Sequence, residues 1–234
     1  MISLIENIIE QSELSLINIK KFKFAYFKDR DDFFIIYNAD KETLLKENNN
    51  TISDLEFLIN ALIVDFKNES EVTGFKERFL DENLSFILLL NIGNEEDENF
   101  TKELHKVEEN YRVAKKYILP YKNNDFRVLE EKISISENII HELNRIAIEY
   151  SNLLNNKNET WYRLLMSLFI KVPFLNYVPL GNNQQLRNIK NEIDNVLNEP
   201  QKLFTDKILN DYIENSNIEE FLLTNNLFID ETDE

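Results

Sequence analysis

The sequence contains no cysteine, two histidines and only three glycines among 234 residues, set against 43% hydrophobic and 12% aromatic content. The missing cysteine removes disulfides, thiolate zinc sites, iron–sulfur clusters and cysteine nucleophiles together. Gly74, Gly93 and Gly181 stand alone. A phosphate loop of the GxxxxGK[ST] type and a dinucleotide turn of the GxGxxG type both need clustered glycines, so that backbone amides can approach the anion, and neither pattern occurs. His105 and His141 are far apart, and neither sits in an HExxH or ExxH setting that would place a second metal ligand on the same helical face. Both read as surface or capping residues. The sequence thus points to no catalytic, cofactor-binding or metal-binding residue, and no cofactor is expected.

Basic residues are also scarce: 26 lysines and arginines face 43 aspartates and glutamates, for a net charge of −17. Nucleic-acid binding draws its affinity from cations that release counterions along the phosphate backbone, so little direct contact with DNA, or with an anionic membrane, is expected. No uncharged apolar stretch reaches the ~18–20 residues of a membrane span, and Met1 opens onto an acidic amphipathic segment without a basic leader. The expected location is cytoplasmic.

What is present is ample hydrophobic material for a folded core. Residues 2–14 place Ile5, Ile8 and Ile9 at helical spacing. Over residues 19–27 the period changes to two, with Phe22, Phe24 and Tyr26 on one face and Lys21 and Lys23 on the other, the pattern of a half-exposed strand. The polar run Asp29-Arg30-Asp31-Asp32 reads as a turn. Its carboxylates are hard oxygen ligands close together, yet aspartate is favoured in turns for local hydrogen bonding alone. The apolar run Phe33-Phe34-Ile35-Ile36-Tyr37 predicts an interior strand, completing a hairpin, and Phe86-Ile87-Leu88-Leu89-Leu90 predicts another. Between them Ser53 and Glu56 form a candidate capping box for a helix carrying Leu55, Leu58, Ile59, Leu62, Ile63 and Phe66. An acidic helix start is expected over residues 95–98.

Beyond residue 122 the strand signals fade. Ser134 and Glu137 are candidate caps for a long helix with Ile139, Leu143, Ile146, Tyr150 and Leu153 along one seam, read as half of an intramolecular helical hairpin. Residues 160–171 predict a strongly apolar helix stopped by Pro173. Leu186, Ile189, Ile193 and Val196 mark a further helix ending at Pro200; two shorter helices follow, the last capped by Asn217 with Glu220, before an acidic tail at residues 230–234. The expected fold class is α+β: an N-terminal mixed β-sheet covered by helices over residues 1–122, followed by an all-helical half over residues 123–234, which can pack as one unit with it.

One segment stands out from this acidic background. Tyr111-Arg112-Val113-Ala114-Lys115-Lys116-Tyr117-Ile118-Leu119-Pro120-Tyr121 concentrates basic and aromatic residues. Such interleaving suits an acidic partner or a nucleic-acid backbone; the plainer reading is an edge strand whose lysines face water and discourage edge pairing. Together with Glu108-Glu109-Asn110 before it, and with Trp161-Tyr162-Arg163-Leu164-Leu165 and Phe169-Ile170-Lys171-Val172-Pro173-Phe174-Leu175 further on, this segment resembles the middle component of bacterial ABC-three-component systems. The order of opening helix, hairpin and following helix is similar as well.

The resemblance implies a non-enzymatic adaptor subunit in a hetero-oligomer. Its partners would be an SMC- or Rad50-like ABC ATPase and an effector, commonly a nuclease, acting in antiphage or anti-plasmid defence. It carries no catalytic residues to this chain. The partner-binding residues it points to are Lys115, Lys116, Tyr117 and Trp161, although an aromatic residue at helical spacing, such as Trp161, is more often core. Two other classes remain open from the residues themselves. One is an acidic protein that mimics nucleic acid and inhibits a DNA-binding protein, which requires carboxylates in rows on one face. The other is a metal-dependent carboxylate hydrolase or nuclease, for which the strands lack a Glu-x-Lys after the acidic residue at Asp40.

Overall fold

The computed structural model describes residues 1–49, 51–93, 97–133, 138–156 and 158–178. The chain divides into two units, Met1–Leu180 and Gly181–Glu234, and the second lies outside the described residues. The helices expected around Leu186–Val196 and after Pro200, with the cap at Asn217 and the acidic tail, therefore also lie outside them, as do Ser134 and Glu137.

The described chain is an α+β fold built on one mixed five-stranded sheet in the order β1-β2-β3-β4-β5. Helix α1 (Ile2–Gln11) leads into β1 (Ser15–Ile19) and β2 (Phe22–Tyr26). These pair antiparallel from Ser15↔Tyr26 to Ile19↔Phe22 around a two-residue turn, in which Lys20 takes a φ of 51°. The aspartate-rich turn then returns the chain antiparallel into β3 (Phe33–Asp40). Arg78 fastens that turn: its Nε lies 2.9 Å from Asp31 Oδ1, and its guanidinium donates to the Phe27 and Arg30 carbonyls at 3.1 and 2.9 Å. Asp32 pairs with Arg30 at 3.2 Å. Two of the turn carboxylates, Asp31 and Asp32, are thus engaged by arginines of the chain itself.

From β3 the chain makes two parallel crossovers. The first runs through α2 (Lys41–Glu47), α3 (Leu55–Lys67), a 3-10 segment (Ser70–Arg78) and the single turn α4 (Leu80–Asn83) into β4 (Leu84–Asn91). The second runs through α5 (Glu98–Glu109) into β5 (Lys115–Tyr121). Both crossovers lay their helices on one face, where Leu44, Ile59, Phe66, Leu80, Phe100 and Leu104 pack against the side chains of Phe24, Phe33, Ile35, Phe86 and Leu88. The opposite face is covered by α1 and by α6 (Asn123–Lys132), α7 (Ile139–Glu149) and α8 (Thr160–Lys171). There Ile5, Ile8, Leu129, Ile146, Leu165 and Leu168 meet Ile36, Ile87 and Leu119. A strand covered on both faces must be apolar at every position, and β3 and β4 are buried from Phe33 to Tyr37 and from Phe86 to Leu90. The described helices beyond residue 122 therefore share the sheet as their packing partner with α1.

Several local expectations shift. Residues 15–19 form a strand of their own, β1, whereas the helical pattern through Leu14 ends at Gln11. The Ser53–Glu56 capping box does not form. Asp54 stands at the N-cap with a φ of 66° and makes no side-chain cap bond, while the Glu56 carboxylate is taken by Asn110 instead. Helix α5 is capped by Asp97, which accepts from Phe100 N–H at 3.0 Å. Helix α7 begins behind Asn138, which accepts from His141 N–H at 2.8 Å, and it stops at Glu149 ahead of a short 3-10 turn, Ser151–Leu153. Helix α8 covers the expected residues 160–171.

Candidate functional site

The basic and aromatic segment is the last strand of the sheet, and its alternation assigns each side chain a direction. Lys116 and Ile118 point toward the α5 face. Tyr117, Leu119 and Tyr121 point toward the α8 face. Of the two adjacent lysines one is therefore at the surface and the other turned inward. Lys115 is exposed, with its ammonium 5.1 Å from the Tyr117 ring centroid, and its pKa is raised by the neighbouring Tyr117 and Tyr111 hydroxyls. Lys116 is only 3% exposed. Its Nζ donates to the Asn110 carbonyl at 2.6 Å and to the Ala114 carbonyl at 3.3 Å. Burial lowers its pKa from the usual 10.5, and the Glu56 carboxylate opposes that shift. The expectation that the strand's lysines face water holds for Lys115 and fails for Lys116.

Asn110 is the joint of this arrangement. Its carbonyl receives Lys116, its side-chain amide donates to Glu56 of α3, and its side-chain oxygen accepts Arg112 N–H at 2.9 Å. Two residues earlier, Glu108 serves the same strand from the end of α5. Its Oε1 accepts the Ile118 N–H at 2.7 Å and the Lys171 ammonium at 2.5 Å. The two sequence stretches behind the resemblance, residues 108–121 and 161–175, are thus joined by the Glu108–Lys171 ion pair.

This network also closes the outer edge of β5. In a parallel ladder alternate residues turn both backbone groups away from the neighbouring strand; Ile118 does so, and its N–H is spent on Glu108. Pro120, two residues on, has no N–H to offer. A carboxylate and a proline on an edge strand block the addition of another strand. Beside this closed edge, α5 and α8 bound a groove of about 620 Å3. Its floor is Ile118 and Pro120, its α5 wall carries Phe100, Leu104 and His105, and Lys102, Lys122 and Lys171 stand at its margin. A second hollow of about 540 Å3 lies at the start of the strand, where Tyr111, Arg112, Lys115 and Tyr117 approach Arg30 and Asp81.

Trp161 belongs elsewhere. It is 6% exposed in the core between α8 and the preceding helices, edge-on to Tyr150 at 5.3 Å and to Tyr162 at 5.6 Å. Its indole N–H donates to Glu159 at 2.6 Å, and the Lys132 ammonium lies 4.5 Å from its ring centroid. The structure therefore places Lys115 and Tyr117 together at one surface hollow, Lys116 on the opposite, α5-facing side of the strand and Trp161 in the α8 core. Residues whose roles depend on tertiary proximity, notably Glu108, Asn110 and Lys171, are prominent here. Their sequence signal was their presence in the resemblance stretches, with Pro120 marking an edge.

Among the described residues no group of three or more histidine, aspartate or glutamate side chains is gathered as a metal site, and no helix is long and apolar enough to cross a membrane. A mixed sheet with helices on both faces, bounded by an edge strand with its own side-chain closure, is the class of protein defined here. Residues 32–144, from the turn before β3 into α7, match the family model of the ABC-three component (ABC-3C) system Middle Component 1. The resemblance to an ABC-3C middle component is thus found over the segment that builds β3, β4, β5 and the α5 wall of the groove. No curated protein and no solved structure matches the chain.

Proposed function

We propose that this protein is a non-enzymatic adaptor of a multi-component ABC-3C system, acting in the cytoplasm. It would join an SMC- or Rad50-like ABC ATPase to an effector, a nuclease in this reading, in antiphage or anti-plasmid defence. The observation that carries the proposal is the family match over residues 32–144. Physical support comes from the β5 edge: a rigid core presents an apolar groove and a hollow lined by aromatic rings and by charges of both signs, features that bind a protein without converging on a reacting atom. Lys115 and Tyr117 are the partner-facing residues in this reading. Lys116 and Trp161 act from below, by holding the strand and α8 in place.

The test is to express the tagged chain with its neighbouring genes and to identify and count what co-purifies at moderate and high salt. Stoichiometric recovery of a coiled-coil ATPase, with or without an effector, is expected. Recovery of the chain alone would refute the adaptor role. Within a recovered complex, Lys115→Glu, a change at an exposed side chain, is expected to weaken the association by at least about tenfold with the thermal unfolding of the isolated chain unchanged. Full retention would remove this hollow from the interface.

A further inference from the structure

The two edges of the sheet are treated differently. The β5 edge is closed by Glu108 and Pro120. The opposite edge is β1, Ser15-Leu16-Ile17-Asn18-Ile19, which has neither a charge nor a proline. Ile19 and Phe22 flank the two-residue turn, and the pair closing such a hairpin exchanges backbone bonds, as do alternate pairs beyond it. Ile19, Ile17 and Ser15 thus face β2, and Leu16 and Asn18 turn an N–H and a C=O each toward the outside. Among the described residues, none of the loop, turn or cap bonds uses these four groups. Leu16 is 36% exposed and Asn18 is exposed beside it.

We propose that β1 is a self-pairing surface, on which two copies of the chain join antiparallel about Ile17 and continue one sheet across a two-fold axis. In that register Leu16 of each copy stands opposite Asn18 of the other, and the four outward groups of each strand are satisfied by four backbone bonds. Ile17 meets Ile17, and Ser15 meets Ile19. At both ends Glu13, in the turn before β1, comes to the Lys20-Lys21 turn of the second copy, whose lysines also reach Glu69 and Glu47 of their own chain. Opposite charges therefore meet at the margins of an uncharged strand. Self-association of a chain carrying −17 is opposed by its own field, and this register brings together a stretch free of that repulsion. An isologous contact of this kind needs only one self-complementary patch.

Sedimentation velocity of the full chain over a range of concentrations tests the proposal, independently of the adaptor reading because no other component is present. A reversible dimer is expected. Asn18→Pro removes an outward N–H while leaving the β1–β2 ladder its bonds, and Leu16→Lys places a cation in each of the two strands; each is expected to raise the dimer Kd by at least about tenfold. Glu13→Lys is expected to raise it as well, and the swap Glu13→Lys with Lys21→Glu to bring it back. Circular dichroism and thermal melting of each variant report whether the monomer is folded. The proposal is overturned by a wild-type chain that stays monomeric at every concentration, or by a dimer that all these folded variants leave intact. It is overturned equally if the chain is monomeric alone and the β1 variants release a co-purifying partner, since the edge would then receive that partner's strand.

Discussion

Lys116 has its charge turned inward, where two carbonyls replace water. An ammonium held below its usual pKa by burial means that, between the folded value and 10.5, the unfolded chain binds more protons. Stability therefore rises with pH across that window. Tyr37 has the opposite sign. Burial, and then the Glu47 carboxylate that its hydroxyl meets at 3.3 Å, push its pKa from 10.0 to about 12. The folded state keeps the phenol proton after the unfolded chain has lost it, so stability falls as pH climbs from 10 to about 12. Urea unfolding across this range should show the wild type losing on the order of 2 kcal/mol more than Tyr37→Phe. Glu108 supplies a second prediction at this scale. Glu108→Ala removes the acceptor for Ile118 N–H and strands Lys171, at an expected cost of about 1–3 kcal/mol in chemical denaturation. Glu108→Gln keeps an acceptor and should cost less. Lys116→Glu, a natural choice for charge reversal, would set a carboxylate against the Asn110 and Ala114 carbonyls, so a loss of partner binding there would report folding.

The interior strands were legible in the sequence because the period decides them: five consecutive apolar residues at Phe33–Tyr37 and at Phe86–Leu90 leave no polar face to expose. In β2 the period of two was legible from Phe22, Phe24 and Tyr26, but the face expected to be exposed is covered by α1: Ala25 is buried there and Lys23 pairs with Glu6. Strand β1 was not legible. Leu16 and Ile17 are adjacent and follow a helical pattern, so neither a period of two nor one of 3.6 prevails over so short a run. The Ser53–Glu56 spacing fits a capping box, but Glu56 lies within reach of Asn110, 54 positions away, and the tertiary contact won. The candidate site was legible as a segment and not as an arrangement. Basic character identified residues 111–121, whereas the opposite orientations of Lys115 and Lys116 depend on which helix covers which face. Substitution inside the central strands is expected to be costly. Phe86 is fully buried, and Phe86→Ala should cost about 3–5 kcal/mol in equilibrium unfolding.

For the molecule as a whole, the sheet has one edge closed by its own side chains and one left open, and its two crossovers run on a single face. The opposite face is assembled from both ends of the described chain, with α1 from the start and α6 to α8 after the last strand. Contacts between Ser12 and Phe174 and between Gln11 and Ile140 span 162 and 129 positions. Such non-local closure is expected to make folding slow relative to a local helical bundle. Helix α8 completes this layer, packed against both α6 and β5. Trp161, the chain's one tryptophan, lies in that last layer beside Tyr150 and Lys132. The protein thus carries a built-in optical probe: the indole emission should shift to longer wavelength when α8 leaves the sheet, reporting the docking of one helix without any added label.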